Sequence, residues 1–435
     1  MKFSLYVHFP FCVSKCAYCG FYSVSPETLA SESCSGKNRY IDGKKTAGGL
    51  GRKFPDCLEG SAPGKIPGEI EDLYFDSFEK ELKYFASVFD ITEWETLYFG
   101  GGSPSLMSER LLCRLTGEIG KITGGKEWNE ATIEANPAEV TGDWVYSLKK
   151  AGINRVSLGI QSMTDSVLRR IYRRADKALN KKALEILSSS GLRWSCDIIS
   201  GLPGETLESF YASLQEILKF SPPHVSLYSL SVDEGSGLEK ELSPVQQEQL
   251  LDFGEELHRT GVETLLKNGY LRYEISNYAK SGEESLHNLN YWNMGNWLGI
   301  GPGASGTVFY QGNARRFNTR ENVMAWFKNP VKEIETENLD LKTCMKEFLM
   351  MGLRIRSGVE GREFLKRFGL NPRYIFSRLP VEFFPFFSGG EKCFSEGEKA
   401  CPGEDSQGFV YSLNDSGFEN YNAVVGELFN IIDAL

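Results

Sequence analysis

The stretch that decides the fold is YVHFPFCVSKCAYCGFYS, residues 6–23, whose three cysteines, Cys12, Cys16 and Cys19, fall within eight positions. Cysteine thiolates grouped in this way bind zinc or an iron–sulfur cluster. A structural zinc site closes with a fourth Cys or His at characteristic spacing, and the nearest histidine here is His8. A four-iron cluster held by three cysteines instead leaves one iron open to an exchangeable small molecule. The spacing favours a cluster, with structural zinc as the alternative.

Composition limits the class of protein and its partners. A chain of 435 residues with 41% hydrophobic residues is long enough for one large α/β domain and a smaller one. The net charge of -10 argues against nucleic acid or an anionic membrane as the main partner, since both attract basic surfaces. The sequence has no apolar run of about 20 residues, and MKFSLYVHFP alternates like a strand instead of a signal peptide. We therefore expect a cytoplasmic protein without a membrane span.

Strand-like and helix-like segments alternate along most of the chain. The strand-like segments are FSLYVHF, ETLYFGG, ATIEANP, NRVSLGIQS, LRWSCDIIS and HVSLYSLSV. An apolar helical stripe lies between the first two, and three later helices end at a glycine that can adopt the left-handed conformation. The stripe is Phe75, Phe78, Leu82, Phe85 and Phe89, and the glycines are Gly152, Gly191 and Gly269. This alternation predicts parallel strands with right-handed crossovers, in an α/β barrel or open sheet.

Two stretches interrupt the pattern and divide the chain. Residues 25–70 are rich in Gly, Ser and Lys with almost no apolar periodicity, which predicts a flexible insertion. We expect residues 1–320 to form the core that contains this insertion. Residues 336–435 then form a small, mostly helical C-terminal domain, with a loop at 380–408.

Polar residues and a glycine loop stand where several predicted strands end. Because the carboxyl ends of parallel strands meet at one edge, we expect these residues to share a pocket. The glycines let a ligand approach the backbone closely, and we expect the loop amides to be free to bind it. Singly, each residue is more often a turn or a surface residue. The group comprises Gly100, Gly101, Gly102, Ser103 and Pro104, with Glu134, Gln161 and Asp197 after the following strands.

The cysteine spacing and the glycine loop together resemble the radical S-adenosylmethionine superfamily. That resemblance implies a (β/α) partial barrel, a 4Fe-4S cluster on Cys12, Cys16 and Cys19, and S-adenosylmethionine on the open iron. Within the superfamily, nearly the whole chain is similar to the oxygen-independent coproporphyrinogen III oxidase-like group. By this resemblance the S-adenosylmethionine contacts are Tyr6, Tyr18, Gly101, Gly102, Ser103, Glu134, Gln161, Arg173 and Asp197, and more loosely Ser231 and Ser305.

Two branches of this group compete, and they differ in function. The dehydrogenase branch, which acts in porphyrin biosynthesis, carries a fourth cysteine two residues after the third, where this chain has Phe21. The haem chaperone branch, of the HemW type, carries a His-Asn-x-x-Tyr-Trp motif, and residues 287–292 read HNLNYW. Imidazole is a common haem ligand and aromatic faces suit a porphyrin. His287, Tyr291 and Trp292 are therefore the predicted haem contacts, although such aromatic clusters are more often part of a hydrophobic core.

The sequence thus predicts a radical S-adenosylmethionine partial barrel with a small C-terminal domain. We expect it to act as a haem chaperone rather than an enzyme, with haem and acceptor haemoproteins, respiratory enzymes by resemblance, as partners. The alternative is an oxygen-independent coproporphyrinogen III dehydrogenase. If residues 287–292 are helical, His287 and Tyr291 lie on one face of that helix.

Overall fold

The computed structural model describes residues 1–26, 29, 66–125, 127–310, 312–388 and 409–435. Most of the predicted insertion at 25–70, and most of the predicted loop at 380–408, lie outside the described residues. Within those two ranges, residues 68–70 already belong to the first helix and residues 381–386 form a 3-10 helix. No helix in the described part of the chain is long and apolar enough to cross a membrane.

The described elements alternate as predicted over the first two-thirds of the chain. The strands are β1 (Lys2–Phe9), β2 (Glu93–Gly101), β3 (Glu130–Ala135), β4 (Arg155–Gln161), β5 (Arg193–Ser200), β6 (His224–Ser229), β7 (Leu271–Arg272), β8 (Asn277–Ala279), β9 (Trp297–Ile300), β10 (Ser305–Tyr310), β11 (Asn313–Thr319), β12 (Ile334–Leu339), β13 (Val359–Glu360) and β14 (Val410–Tyr411). The helices are α1 (Gly68–Val88), α2 (Glu109–Ile122), α3 (Gly142–Lys150), α4 (Asp165–Arg170), α5 (Lys177–Ser188), α6 (Leu207–Leu218), α7 (Gly237–Glu241), α8 (Pro244–Lys267), α9 (Leu286–Trp292), α10 (Val323–Lys328), α11 (Leu341–Gly352), α12 (Gly361–Phe368), α13 (Arg373–Phe376), α14 (Asp415–Glu419) and α15 (Tyr421–Asp433).

Twelve strands form one sheet, in the order β12-β11-β10-β9-β1-β2-β3-β4-β5-β6-β8-β7. The seven from β9 to β6 are parallel, whereas the strands at both sides of this block run antiparallel to their neighbours. Among the described residues, no pairing joins the outer strands β7 and β12, so the barrel is open, as the prediction of a partial barrel requires. The carboxyl ends of the parallel strands meet at one edge, where the polar residues were expected.

The apolar stripe of α1 packs against the sheet as its spacing predicts. Phe78, Leu82 and Phe85 are buried, and the Phe85 ring meets that of Phe317 edge-on at 5.6 Å between centroids. Each fully buried phenylalanine contributes roughly 1.5 to 3 kcal/mol to stability through the apolar area that it removes from water. The three glycines predicted to end helices all have positive φ, between 72° and 80°, which confirms that prediction.

The C-terminal part of the chain has a hydrophobic cluster of its own. It comprises buried residues of α11 to α15, such as Leu349, Phe364 and Leu428, together with Met294 from the end of α9. Strand β12, which contains the predicted boundary at 336, pairs with β11 in the large sheet. The division into a core and a C-terminal domain stays a prediction.

Candidate functional site

The three cysteines lie on the loop that follows β1, at the carboxyl edge of the sheet. The backbone amide of Ala17 donates to the Ile171 carbonyl at 3.0 Å, and its carbonyl accepts from the Leu238 amide at 2.8 Å. These bonds fix the middle of the loop against the segments that follow α4 and begin α7. All three thiols are free, partly exposed and line a common cavity.

Two polar side chains approach the thiols. The Ser103 hydroxyl lies 3.3 Å from Cys12 Sγ, and Arg173 Nη1 donates to Cys16 Sγ at 3.5 Å. Partial burial raises the pKa of Cys12 and Cys19 above the ordinary thiol value, and a bound cation would favour their thiolate form. Among the described residues, no three His, Cys, Asp or Glu side chains are grouped closely enough to hold a single metal ion.

The cavity at this edge has a volume of about 410 Å³, within the range of small-molecule sites. It lies between the cysteine loop, the glycine loop after β2 and the inward faces of β3 to β6. The predicted contacts that line it are Tyr18, Gly101, Gly102, Ser103, Glu134, Gln161, Arg173, Asp197 and, of the looser matches, Ser231.

Two of the predicted contacts do not line this cavity. Tyr6 lies earlier on β1, where its hydroxyl bonds to His8 Nδ1 at 3.0 Å. Ser305 begins the antiparallel β10, and its hydroxyl donates to Asn318 Oδ1 at 2.7 Å. The structure places both away from the cavity wall, and their contact with S-adenosylmethionine stays a prediction.

The glycine loop packs tightly against β1. A Cβ on Gly101, whose φ is 109°, would lie 2.6 Å from the His8 ring, and one on Gly102 would lie 2.7 Å from the Phe11 carbonyl oxygen. The expectation of free amides is wrong. The Gly101 amide donates to Glu134 and the Gly102 amide to the Phe9 carbonyl, because the loop must bond to β1 and β3 to hold its shape. The glycines therefore serve close packing.

Glu134 is held at the end of β3 by two donors. The Tyr98 hydroxyl donates to Oε1 at 3.0 Å and the Gly101 amide to Oε2 at 3.2 Å. Burial raises the pKa of Glu134 to about 7, although these bonds oppose the shift. Asp197 on β5 also has a raised pKa because it is buried, and it accepts from the Ser157 hydroxyl at 2.9 Å. Two acidic side chains thus face the cavity as acceptors.

Gln161 and Arg173 bring buried polar atoms without partners to the same cavity. Gln161 Oε1 and Arg173 Nε have no hydrogen-bond partner within the described part of the chain. Gln161 also has a φ of 66° at an irregularity in the pairing of β4 with β5, a strained conformation typical of binding sites. A Cβ on Gly159 would lie 2.6 Å from Arg173 Nη2, so a side chain there would displace the guanidinium from its present position. One amide oxygen and one guanidinium nitrogen without partners in the same cavity fit a polar ligand.

The HNLNYW motif lies near the opposite, amino edge of the sheet. Residues 286–292 form α9, which confirms the predicted shared face because His287 Nε2 bonds to the Tyr291 hydroxyl at 2.7 Å. His287 Nδ1 bonds to Thr96 Oγ1 at 2.7 Å, and only 1% of the residue is exposed. Burial lowers the pKa of His287 to about 3, so the imidazole is neutral. Trp292 packs under the Arg354 guanidinium, 4.6 Å from its ring centroid.

Buried Glu130, the first residue of β3, fixes the start of α9. Its carboxylate accepts from the Ser285 hydroxyl at 3.2 Å and from the amides of Leu286 and His287 at 3.1 and 3.0 Å. Arg193 at the start of β5 also donates to it, at 3.5 Å. A carboxylate at a helix N-terminus stabilises that helix through its free amides.

Residues 6–217 match the Radical SAM superfamily. The chain is 30% identical over 379 residues to the protein named heme chaperone HemW of Buchnera aphidicola (Schizaphis graminum), covering 86% of this chain and 89% of that protein. It is 30% identical over 373 residues to HemW of Escherichia coli, covering 84% and 86%. Radical S-adenosyl methionine domain-containing protein 1, mitochondrial, of Mus musculus is 30% identical over 82% of this chain and 74% of its own length.

The chain belongs to the radical SAM superfamily. Within it, the chain is similar over more than four-fifths of its length to proteins named heme chaperone HemW. The solved structure of coproporphyrinogen III oxidase (HemN) from Escherichia coli has the same fold, with a TM-score of 0.68 and 17% identity over 99% of this chain and 90% of that one. The predicted family and fold class are confirmed.

Radical SAM proteins carry a 4Fe-4S cluster and S-adenosylmethionine, and the residues of this cavity fit both. Thiolates around one zinc ion all lie about 2.3 Å from the same atom, whereas cluster thiolates bind different irons and stand further apart. The three cysteines face one cavity, and thiolates are the ligands of such a cluster. The orphan atoms of Gln161 and Arg173 and the carboxyls of Glu134 and Asp197 fit a polar nucleoside.

Tyr98, Ser157 and Tyr228 also line the radical SAM cavity, and motif reasoning missed them. Tyr98 lies two residues before Gly100 on β2, and so does Ser157 before Gly159 on β4. Residues two apart on a strand share a face, so Gly100 and Gly159 mark the strand faces on which Tyr98 and Ser157 lie. This alternation along the strands could have identified Tyr98 and Ser157 from the sequence.

Proposed function

We propose that this protein is a haem chaperone, which binds haem and passes it to acceptor haemoproteins. The observation that carries the proposal is its similarity, over more than four-fifths of its length, to proteins named heme chaperone HemW. The HNLNYW segment forms a helix of its own, packed against the parallel sheet. The proposed haem contacts are His287, Tyr291 and Trp292.

We further propose that Cys12, Cys16 and Cys19 hold a 4Fe-4S cluster and that S-adenosylmethionine occupies the cavity beside it. The cluster supplies an iron with a free coordination position for that cofactor. In this proposal the carboxylates of Glu134 and Asp197 accept hydrogen bonds from its ribose hydroxyls. Gln161 and Arg173 bind its polar groups with the atoms that otherwise lack partners.

Haem contact at His287 requires α9 to rearrange. Thr96 donates to Ser4 Oγ at 2.7 Å, so Thr96 accepts from His287 Nδ1 and the lone pair lies on Nε2. That lone pair accepts the Tyr291 hydroxyl proton. An iron ligand needs the same lone pair, so Tyr291 must leave Nε2 before His287 binds haem. We propose that haem is captured in this rearranged state.

Phe21 favours the chaperone over the coproporphyrinogen III dehydrogenase. Its side chain is 69% exposed and lines the cavity entrance, at the position where the dehydrogenase carries a fourth cysteine. A phenyl ring offers a flat apolar surface there but no thiol for chemistry. The cytoplasmic location stays a prediction, since one relative is named as mitochondrial.

The test is haem delivery from anaerobically reconstituted, haem-loaded protein to an apo-haemoprotein such as apomyoglobin, followed by the change in visible absorbance. We expect the absorbance spectrum of the haem-bound acceptor to appear. It should appear more slowly when the His287→Ala variant is the haem donor, because that variant binds less haem. A chain that takes up haem and never releases it to any acceptor would contradict the chaperone role. One zinc per chain, with no iron or sulfide after reconstitution, would exclude both the chaperone and the dehydrogenase as written.

A further inference from the structure

One residue belongs to both the cavity and the surroundings of the HNLNYW helix. The Tyr98 hydroxyl donates to Glu134 Oε1 at 3.0 Å, and its ring stacks on the His287 imidazole with centroids 5.0 Å apart and planes 25° apart. Glu134 and His287 have no bond to each other in the described structure. Tyr98 is therefore the physical connection between the cofactor cavity and α9.

We propose that His287 is a positioning residue for the S-adenosylmethionine site, acting through Tyr98. The imidazole holds the Tyr98 ring so that its hydroxyl stays on Glu134, and Glu134 in turn keeps its carboxylate towards the cavity. This inference rests on the proposed function, because it assumes that S-adenosylmethionine binds beside Glu134. The proposed role of His287 applies to the described conformation, in which both of its ring nitrogens are hydrogen-bonded within the protein.

The His287 ring is itself fixed from two directions. Thr96 holds Nδ1 and Tyr291 holds Nε2, each at 2.7 Å. Thr96 and Tyr98 are two residues apart on β2 and so face the same side of the strand. The same strand therefore both anchors the imidazole and presents the ring that stacks on it, which sets the distance between the two rings.

Removing the imidazole would leave a space beside the Tyr98 ring. Tyr98 also stacks on Tyr6, with centroids 6.1 Å apart, but that contact does not restrain it on the side of α9. A ring free to tilt into the space withdraws its hydroxyl from Glu134. A hydrogen bond to a carboxylate contributes roughly tenfold to a hundredfold to an equilibrium that depends on it, so the cofactor affinity is the quantity that should change.

The experiment measures the dissociation constant of S-adenosylmethionine by calorimetric titration of anaerobically reconstituted, full-length protein. The variants are His287→Ala, which removes the ring, His287→Phe, which keeps a flat ring against Tyr98, and Tyr98→Phe, which removes only the hydroxyl. The matched control is His224→Ala, because His224 is equally buried at the same edge and bonds to the Tyr273 hydroxyl at 2.9 Å. Iron content and thermal unfolding are measured on every variant.

We expect His287→Ala and Tyr98→Phe each to weaken S-adenosylmethionine about tenfold, and His287→Phe to stay within threefold of wild type. In the Tyr98→Phe background, His287→Ala should add less than twofold, because two residues that act through one bond are not additive. His224→Ala should leave the affinity unchanged. If His287→Ala fails to retain its cluster, His287→Phe and Tyr98→Phe alone give the comparison.

Three outcomes would overturn the inference: wild-type affinity in His287→Ala, additive effects in the double variant, or an equal loss in His224→Ala. Haem titration of His287→Phe separates the two roles of the residue, because this variant should retain S-adenosylmethionine while losing an imidazole ligand for haem. Failure of the wild-type protein itself to bind S-adenosylmethionine would instead contradict the proposed function.

Discussion

The two edges of the parallel sheet differ in whether their predicted ligand atoms, the cysteine thiols at one edge and the His287 nitrogens at the other, are free to bind. At the carboxyl edge, three free thiols face one cavity, and Gln161 and Arg173 each keep a buried atom without a partner. At the amino edge, both nitrogens of His287 are bonded and Glu130 accepts from α9 and from Arg193. The cysteine thiols are therefore free to bind a ligand, whereas both His287 nitrogens are occupied by the protein's own groups, although Trp292 Nε1 and His224 Nδ1 near that edge have no hydrogen-bond partner among the described residues.

This difference shows that two motifs equally visible in a sequence can differ in readiness to bind. Buried polar atoms almost always have partners, so orphan atoms in a cavity indicate a missing ligand. The cavity beside the cysteine loop meets this criterion through Gln161 Oε1 and Arg173 Nε. The ring of His287 does not, and it can bind haem only after its bond to Tyr291 is broken.

The largest effect is expected from a substitution at the carboxyl edge, which should remove the cluster. Cys16→Ser should lose iron and acid-labile sulfide almost completely, because a serine hydroxyl replaces a thiolate ligand of the cluster. Cys113→Ser is the matched control, since Cys113 is a free, partly exposed thiol on α2 outside the cavity. Iron and sulfide analysis after anaerobic reconstitution checks both. Full iron content in Cys16→Ser would contradict the assignment of the cluster.

The next largest effect is expected on stability, from a substitution at the amino edge. Glu130→Gln should lower the free energy of unfolding by about 3 to 5 kcal/mol, since it removes the negative charge that lies 3.9 Å from the buried Arg155 guanidinium. Glu283→Gln is the control: Glu283 pairs with the same Arg193 at 2.9 Å, but the pair is partly exposed, so we expect less than about 1 kcal/mol. Chemical unfolding followed by circular dichroism measures both. Equal decreases in the free energy of unfolding for the two variants would show that Glu130 does not stabilise this edge more than an exposed ion pair does.

A pH titration sharpens the role of Glu134. Its pKa is raised to about 7 by burial, so the carboxylate is protonated below that pH and is then a poorer acceptor for a ribose hydroxyl. S-adenosylmethionine affinity should therefore fall as pH decreases through 7 and level off at about a tenfold loss, the weight of one hydrogen bond to a carboxylate. Glu134→Gln should bind about tenfold more weakly at pH 8 and with a flatter profile. A wild-type profile that is flat between pH 6 and 8 would rule out this role.

The smallest effect concerns the bond that closes the amino edge. Tyr291→Phe removes the donor from His287 Nε2 and should strengthen haem binding by roughly threefold to tenfold, the weight of one hydrogen bond. Tyr270→Phe is the control, because it removes a buried hydroxyl that donates to the Pro222 carbonyl and touches no histidine. Haem titration followed by absorbance gives both affinities. Weaker haem binding in Tyr291→Phe would indicate that the hydroxyl contacts haem directly.

Local patterns predicted the parts of the molecule that depend on local rules. The helix-ending glycines, the stripe of α1 and the meeting of Glu134, Gln161 and Asp197 at one edge follow from spacing and from the parallel direction of the strands. These rules do not predict how far a residue lies from the carboxyl end of its strand, and therefore whether it reaches the cavity. Tyr6 therefore lies below the cavity that it was expected to line.

The partners of His287 could not be predicted from its neighbours in the chain. Thr96 is 191 positions away, and its bond to His287 depends on how α9 packs against β2. The prediction of free amides in the glycine loop was wrong for a similar reason. Those amides bond to groups on other strands, and motif comparison does not show such bonds. Motifs indicate which residues matter, whereas long-range pairing decides which of their atoms are available.

The most direct test of the account is the amount of haem bound per chain by anaerobically reconstituted protein, measured by spectral titration. Carbon dioxide release from coproporphyrinogen III is assayed on the same sample. The account predicts one haem per chain and no decarboxylation above the level of the Cys16→Ser variant. Absence of haem uptake together with sustained decarboxylation would contradict it and would assign the chain to the dehydrogenase.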